Sequence, residues 1–505
     1  MSEQIRPAAA ETLRRDILTT LLPGFDGPVA PEWLLRRLAD GLGGVCLFGM
    51  NVETPEQLAA LNASLRAANP AAVIAIDEEG GDVTRLFYDR GAPYPGNALL
   101  GRLDDVALTE SVARAVGEAL AATGCTLTFA PDADANSDPD NPVIGVRSFG
   151  SDPELVARHT AAWVRGIQST GVAASAKHFP GHGDTATDSH LALPVVDVDL
   201  ETLRTRELVP FRAAVAAGTA TIMTSHILLP QLDAENPATL SPHILHRLLR
   251  GELGFEGVIV TDALDMQGAS GVHGIPEAAV RALVAGCDLL CIGSDNDDAE
   301  LESIVVAVEA AVADGRLDAA RVAEAAARVR ALAELSLAAP VAAGAAIGRM
   351  PSAAELVPAF EVSDAARTVL AGGVGSVVRV ETEANIAIGE APWGVFAAEA
   401  EAAQPGWVSL ARRERLAEGE AQPDWAALPG PVLVIGKDLH RHGFARAAID
   451  ALRSVRPDVV ALDMGWPSDD RRYADVATFG ASRLVGDAVI GLVEEAGRAT
   501  PASFA

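Results

Sequence analysis

Lysine, cysteine and aromatic residues are all scarce in this chain of 505 residues. Only two of its 39 basic residues are lysines, Lys177 and Lys437, and aromatic residues make up 4% of the chain. Four scattered cysteines are too few for a disulfide framework. Because no run of 18 or more apolar residues occurs and the N-terminus lacks the pattern of a secretory signal, we expect a cytoplasmic protein with no membrane partner.

Basic residues are also fewer than acidic residues in this chain. The 39 basic residues stand against 69 acidic ones, which gives a formal net charge of −30. Such a surface repels nucleic acid phosphates and anionic lipid, so neither is an expected partner. A composition that is 49% hydrophobic and 21% charged excludes a disordered chain. The length predicts two or three domains.

Short apolar runs alternate with longer amphipathic segments from residue 8 to about 335. Strands that are apolar throughout and separated by helices indicate a parallel sheet covered on both faces. Seven or more such units favour a TIM-like (β/α)8 barrel over an open sheet, and hence an α/β fold class. The predicted strands are 44–48, 72–76, 126–130, 173–176, 219–223, 257–260 and 288–292.

Polar residues follow directly after five of these predicted strands. The segments DEEGG, PDAD, KH, TSH and TD begin at residues 77, 131, 177, 224 and 261. In a barrel these strand ends open on one face, where active sites are built. The pattern therefore predicts a catalytic face.

A break that is rich in alanine, glycine and proline follows the barrel. We predict a barrel domain over residues 1–340, a linker over 341–358 and a smaller α/β sandwich domain over 359–505. Strands are expected at 375–380, 394–397, 431–435 and 458–462, and helices at 444–453 and 482–495. No glycine-rich phosphate-binding motif occurs in this part.

The loop KHFPGHGDTATDSH, residues 177–190, concentrates groups that can carry chemistry. One interpretation is a metal site with His178, His182 and Asp184 as ligands. The other is acid–base catalysis, in which Asp188 orients His190 and His190 exchanges a proton with the substrate. A structural loop histidine that pairs with a neighbour is the alternative to both.

Three other segments carry isolated candidates. The apolar strand in GFEGVIVTDALDM delivers Asp262, which could act as a nucleophile or could cap the following helix. Asp77 in IDEEGGDVTR could accept hydrogen bonds from two sugar hydroxyls. Arg147 in NPVIGVRSFG offers a fixed fork of donors. Each of these taken alone is also consistent with a surface turn or a local salt bridge.

Together the four segments resemble family-3 glycoside hydrolases of the β-N-acetylglucosaminidase branch, and the KHFPGHG…DSH loop is the diagnostic part. The resemblance covers the whole barrel. It implies that Asp262 is the nucleophile, His190 the general acid/base and Asp188 its carboxylate partner. The implied sugar-binding residues are Asp77, Arg85, Arg147, Lys177 and His178.

The resemblance thus implies a retaining exo-β-N-acetylglucosaminidase that forms a covalent glycosyl-aspartate. Its expected substrates are short N-acetylglucosamine-containing glycans, such as cell-wall fragments or chitobiose, and no cofactor or metal is expected. An imidazole base repels an anionic acceptor less than a carboxylate does, so a phosphorylase that uses the same residues is the alternative. A metal-dependent hydrolase and a non-catalytic sugar-binding protein are further alternatives.

One segment departs from the family pattern. Where the family commonly reads IDQEGGRV, this chain has Glu78 for Gln and Asp82 for Arg. The loss of a basic residue at position 82 weakens the expectation of an acidic group on that side of the substrate.

Overall fold

The structure is a computed structural model that describes residues 5–185, 193–338, 348–382 and 387–498. The chain divides into two compact units. The barrel unit comprises Met1–Glu79, Val106–Ser137 and Ser151–Arg349. The second unit comprises Gly80–Asp105, Asp138–Gly150 and Met350–Ala505, so two segments that the sequence analysis assigned to the barrel domain group with the C-terminal part.

Eight short strands form the barrel unit's sheet, and those predicted from sequence are all present within a few residues. Six of them, β2 to β7, pair in parallel in sequence order. The strands are β1 (Leu21–Leu22), β2 (Gly44–Leu47), β3 (Val73–Ile76), β4 (Leu127–Thr128), β5 (Ala173–Phe179), β6 (Thr221–Thr224), β7 (Val258–Val260) and β8 (Leu290–Cys291).

Main-chain hydrogen bonds close this sheet into a barrel. β1 pairs in parallel with β8, with Leu21 opposite Leu290. On the other side of β1, the Cys46 N–H donates to the Pro23 carbonyl at 2.9 Å. The Thr261 N–H donates to the Leu289 carbonyl at 3.0 Å and links β7 to β8. The fold is therefore the expected TIM-like barrel, whose strand ends share one face.

Helices connect the barrel strands, and several begin at side-chain caps. Thr54 accepts a hydrogen bond from the Gln57 N–H, and Asp152 accepts one from the Glu154 N–H; a proline follows each cap as the first helical residue. The longer helical segments are Ile5–Thr19, Glu32–Asp40, Pro55–Ala68, Val106–Thr123, Pro153–Gln168, Leu208–Ala216, His243–Glu252, Ile275–Ala285, Asp298–Ala313 and Ala319–Ala338. The segment His243–Glu252 has π-helical hydrogen bonding.

The second unit contains an open six-stranded sheet. Its spatial order is β11, β10, β12, β13, β14, β9, and every pair is parallel except β14 with β9. The strands are β9 (Glu361–Val362), β10 (Ser376–Glu381), β11 (Arg412–Ala417), β12 (Val432–Gly436), β13 (Val459–Asp463) and β14 (Val476–Ala477). The helices of this unit are Asn97–Leu103, Ala353–Leu356, Asp364–Leu370, Gly394–Glu401, Trp407–Leu410, Gly443–Val455 and Arg483–Arg498.

Alternate residues along the strands of this sheet pack into two separate apolar cores. Leu433 packs in the core that contains the helix Arg483–Arg498, whereas Val434 packs in the core that contains the helix Gly443–Val455. Side chains alternate between the faces of a strand, so both faces are covered by helices. This is the α/β sandwich expected from sequence.

Two local predictions for this unit need correction. The run 394–397 is not a strand but the start of the helix Gly394–Glu401, because its apolar residues continue into an alanine- and glutamate-rich stretch with high helix propensity. The strand β11 was missed, because its sequence RRERLA is mostly polar, as suits the exposed edge of a sheet.

The four cysteines are buried and free. Among the described residues, no helix is long and apolar enough to cross a membrane.

Candidate active site

A buried lysine lies at the carboxyl end of the barrel strands. The Nζ of Lys177 lies 2.7 Å from Asp77 Oδ1 and 2.7 Å from Glu79 Oε1. The side chain of Lys177 is 3% exposed and that of Glu79 is 2% exposed, whereas that of Asp77 is 21% exposed. Glu79 therefore neutralises the lysine from the protein side, while Asp77 presents its carboxylate towards solvent.

The strand β5 runs further than the sequence predicts and includes both Lys177 and His178. The Ala133 N–H donates to the Lys177 carbonyl at 2.6 Å, which fixes the strand end to the segment after β4. Lys177 bonds to Asp77 and Glu79, whereas His178 bonds to Asp134, so the two residues have different partners in the site.

Asp134 holds the histidines of the predicted loop in place, and sequence reasoning did not assign it a role. Its Oδ2 lies 2.8 Å from His178 Nδ1, and its Oδ1 accepts a hydrogen bond from the His182 N–H at 2.7 Å. A buried carboxylate in this position fixes the orientation of the His178 ring and favours the tautomer with the proton on Nδ1. The motif PDAD after β4 was the available signal, but only the fold brings it to β5.

His182 is buried beside these groups. Desolvation, together with the nearby His178, lowers its pKa to about 4, although the carboxylates of Asp134 and Asp262 oppose the shift. Its Nδ1 lies 3.1 Å from the Thr185 hydroxyl. His182 is therefore a neutral imidazole near neutral pH.

A second buried carboxyl group, that of Glu207, contacts the same loop. Arg206 bridges Glu207 and Asp184, with its guanidinium nitrogens 2.5 Å from an oxygen of each. Gly181, with φ of +136°, lies so close to Glu207 that a Cβ atom there would be 2.7 Å from the glutamate side chain. Burial raises the pKa of Glu207 to about 7. Neither Arg206 nor Glu207 was singled out from sequence.

Asp262 follows β7 directly, as expected. Its Oδ1 accepts a hydrogen bond from the Ala263 N–H at 2.8 Å. The buried His226, at the end of β6, contacts the Ala263 carbonyl through Nε2 at 2.9 Å and the Thr239 hydroxyl through Nδ1 at 2.9 Å. These contacts fix the main chain that carries Asp262. Its carboxylate also acts electrostatically on His182, so the β7 end and the β5 loop belong to one site.

The two predicted sugar-binding arginines belong to the second unit. The guanidinium of Arg85 donates to the carbonyls of Ala387 at 2.7 Å and Ile388 at 3.3 Å. Arg147 donates to the Val143 carbonyl at 3.0 Å. Both side chains are largely buried. Part of the donor capacity of each arginine is therefore used on the main chain of its own unit.

Residues 29–332 match the model of the glycosyl hydrolase family 3 N-terminal domain. This chain belongs to glycosyl hydrolase family 3. The match spans β2 to β8 and every residue of the barrel-unit site described above. The chain is accordingly a glycoside hydrolase, and the resemblance drawn from the four sequence segments is confirmed at the level of the family.

Curated relatives of this family member carry hexosaminidase names. The chain is 39% identical over 270 residues to "Beta-hexosaminidase A" of Pseudoalteromonas piscicida. This alignment covers 49% of this chain and 45% of that protein. It is 39% identical over 274 residues to "Beta-hexosaminidase" of Stenotrophomonas maltophilia, which covers 52% of this chain and 78% of that protein.

A solved structure extends the likeness to both units. The family 3 β-N-acetylglucosaminidase of a Paenibacillus species is 30% identical to this chain, with a TM-score of 0.81. The alignment covers 96% of this chain and 97% of the other. A shorter structure, the β-N-acetylhexosaminidase of Beutenbergia cavernae, is 31% identical with a TM-score of 0.57 and covers 64% of this chain. The first structure thus matches nearly the whole of this chain, and the second matches about two thirds of it.

The metal interpretation of the loop is wrong in its ligand set. Asp184 pairs with Arg206, and the described residues contain no compact group of His178, His182 and Asp184. The group that is compact, with donor atoms within 4.8 Å of one another, is Asp132, Asp134 and His178. Both oxygens of Asp134 accept hydrogen bonds, one from the His178 ring and one from the His182 N–H, so this carboxylate orients His178.

The predicted acid/base pair, Asp188 and His190, lies outside the described residues. Their assignment therefore remains a prediction from sequence, as do the roles of Asp262 and of the sugar-binding residues. The described part of this family 3 site presents two carboxylates that follow barrel strands, Asp77 and Asp262.

Proposed function

We propose that this protein is a retaining exo-β-N-acetylglucosaminidase that acts on short N-acetylglucosamine-containing glycans. The single observation that carries the proposal is Asp262 at the end of β7, on the same barrel face as the Lys177–Asp77–Glu79 cluster, in a family 3 chain. The hexosaminidase names of its relatives favour an N-acetylated amino sugar over other sugars.

The chemistry would proceed by double displacement. A carboxylate oxygen of Asp262 forms a bond to the anomeric carbon as the glycosidic carbon–oxygen bond breaks, and the leaving oxygen takes a proton from the His190 imidazolium. Water then attacks the same carbon, transfers its proton to His190 and releases Asp262. Asp188 orients the His190 ring through these steps.

Substrate binding would use the cluster around Lys177. Asp77, whose side chain is 21% exposed, is the least buried member of that cluster, so it would accept hydrogen bonds from the hydroxyls farthest from the scissile bond. Glu79 and Lys177 hold Asp77 in one position, which reduces the entropy lost on binding. Arg85, Arg147 and His178 are the further residues that we propose to bind the sugar.

The deciding experiment measures nitrophenol release from 4-nitrophenyl N-acetyl-β-glucosaminide, with and without phosphate, and identifies the sugar product. We expect free N-acetylglucosamine at a rate that phosphate does not change. The first-formed product should be the β-anomer by NMR, since two displacements restore the starting configuration. The α-anomer would contradict a covalent glycosyl-aspartate.

Two outcomes would overturn the proposal. A phosphate-dependent rate that yields the sugar 1-phosphate would make the protein a phosphorylase. No release in either buffer, while the corresponding glucoside is cleaved, would show that the N-acetylated sugar is the wrong substrate. Asp314→Asn, an exposed carboxyl change on the barrel unit, is the control that should leave the rate unaltered.

A further inference from the structure

A separate cavity in the second unit carries features that the hydrolase activity does not use. It has a volume of about 670 Å³, which is the size of a small-molecule site. It lies at the carboxyl ends of β10 and β12, and its wall includes Glu381 and Lys437, which stand at those ends. All of its lining residues belong to the second unit.

The position of this cavity in the sheet is that of a ligand site in open α/β folds. From β10 the chain passes to β11 on one side of it, and then returns to β12 on the other side. The strand order therefore reverses between β10 and β12. Ligands of doubly wound sheets bind outside the carboxyl ends of the strands at such a reversal.

The cavity wall carries three cations and two carboxylates, so it has a small excess of positive charge in a chain whose net charge is −30. Arg379 on β10 and Arg415 on β11 are register partners, so two guanidinium groups stand side by side. Like charges directly opposite one another are destabilising in a sheet. Glu381 offsets part of this repulsion, with its Oε1 2.7 Å from Arg379 Nε and 4.0 Å from Arg415 Nε, and the guanidinium of Arg415 also pairs with Glu420.

Lys437, the third cation, is held by an aromatic ring. Its Nζ lies 5.3 Å from the centroid of Trp393, and no carboxylate oxygen of the described residues lies within 4 Å of it. Arg379 lies over Trp393 and over Phe396, with its central carbon 5.2 Å and 4.5 Å from the two centroids. The ammonium of Lys437 is thus positioned but retains donors for an added anion.

The wall also offers partners for a sugar ring. Trp393 and Phe396 form an edge-to-face pair, with centroids 5.1 Å apart, and both line the cavity. The exposed Glu390, which forms no ion pair with any described residue, offers a carboxylate to hydroxyl groups. Cations, an apolar aromatic face and a free carboxylate are together the recognition set for an acidic monosaccharide.

We propose that this cavity binds an anionic monosaccharide, with Lys437, Arg379 and Arg415 on the oxyanion and the aromatic pair against the ring. Phosphate and carboxylate share the required oxyanion chemistry. The site is independent of the proposed hydrolase reaction, so either can fail without the other.

The test is isothermal titration calorimetry on the full-length protein with glucose 6-phosphate, glucuronate and neutral glucose. We expect at least one acidic sugar to bind and neutral glucose to bind at least about tenfold more weakly, the ratio expected for loss of a hydrogen-bonded charge. The acidic sugar that binds more tightly identifies the oxyanion. Binding of neither acidic sugar would overturn the proposal.

Matched variants locate the bound sugar. Lys437→Gln should weaken binding at least about tenfold, and Arg415→Gln, at an exposed position, should act in the same direction. Arg412→Gln on the same strand, which does not line the cavity, should leave binding unchanged. Binding that survives both cavity variants would place the sugar elsewhere and contradict the assignment. Trp393→Phe should remove the ligand-induced change in tryptophan fluorescence, and persistence of that change would also contradict it.

Discussion

The two lysines of this protein, one in each unit, have opposite environments. Lys177 in the barrel unit is buried and bonded to two carboxylates, whereas Lys437 in the second unit lies on an aromatic ring with no carboxylate of the described chain within 4 Å. Lys177 lies near the carboxyl end of the parallel strand β5, and Lys437 directly follows the parallel strand β12. The same residue type therefore fixes a cluster of carboxylates in the first case, and in the second it keeps the donors that we propose for an anion.

The largest expected effect concerns the chemistry that only the barrel unit should support. Asp262→Asn removes the proposed nucleophile while it keeps the shape of the side chain. We expect the rate of nitrophenol release to fall by about 10⁴-fold or more, as it does when an essential nucleophile is lost. Asp314→Asn serves as the matched control. Retained activity in Asp262→Asn would remove this residue from the mechanism and leave the barrel site without its assigned nucleophile.

Substitution of each lysine tests the comparison directly. Lys177→Met leaves Asp77 and the buried Glu79 without their shared cation, so we expect the free energy of unfolding to fall by about 3–5 kcal/mol. Lys437→Met loses a cation–π contact and an electrostatic attraction to Asp82 but no close ion pair, so we expect a smaller loss of about 1 kcal/mol. Urea denaturation of the full chain measures both. Equal losses would show that the two environments do not differ in energy.

Glycines in the two units should respond in opposite directions. A Cβ atom on Gly183 would lie 1.7 Å from the Ala135 carbonyl oxygen, so Gly183→Ala must displace main chain next to Asp134; we expect a loss of about 3 kcal/mol or more. Gly491, within the helix Arg483–Arg498, has no atom within 4 Å of such a Cβ, and Gly491→Ala should stabilise by about 0.5–1 kcal/mol. Thermal melting compares them, and a neutral Gly183→Ala would contradict the close approach.

A smaller effect than the loss expected for Lys177→Met is a pH dependence that arises in the barrel unit. Because burial raises the pKa of Glu207 to about 7, the folded protein binds this proton more tightly than the unfolded chain does. The stability from this group is therefore full below its ordinary pKa of about 4.5 and is lost as the pH rises through about 7.

Glu207→Gln removes that titration and keeps an acceptor for Arg206. Between pH 4.5 and pH 8, the difference in unfolding free energy between the variant and the wild type should change by on the order of 2–3 kcal/mol in favour of the variant. Urea midpoints at several pH values between these limits supply the measurement. A difference that is constant across this range would contradict the raised pKa.

The sequence was most informative where hydrophobic periodicity and strand ends coincide. The barrel strands and the positions of Asp77 and Asp262 follow from apolar runs that end in polar residues. The short strand β1 was not predicted, because two leucines within an apolar stretch are too few to show the hydrophobic periodicity that distinguishes a strand from a helix. The edge strand β11 was missed because its side chains are mostly polar.

Site residues that act through other residues could not be predicted in this way. Asp134 supports His178 from a position 44 residues away in the chain, and Arg206 bridges Asp184 and Glu207. These contacts depend on which loops the fold brings together, and no local pattern encodes them. Asp82 is a related case: its carboxylate accepts a hydrogen bond from the Ala481 N–H at 2.7 Å, so the departure from the family pattern has a partner within the second unit.

The pairing of β1 with β8 has a consequence for how the protein is made. A chain that emerges from the ribosome N-terminus first presents Leu21 and Leu22 long before their partners Leu290 and Cys291 have been synthesised. The barrel cannot close until nearly all of its sequence has been translated, and contacts between such distant residues slow folding. Until then the nascent chain has an open, apolar sheet edge, which is a feature that promotes aggregation.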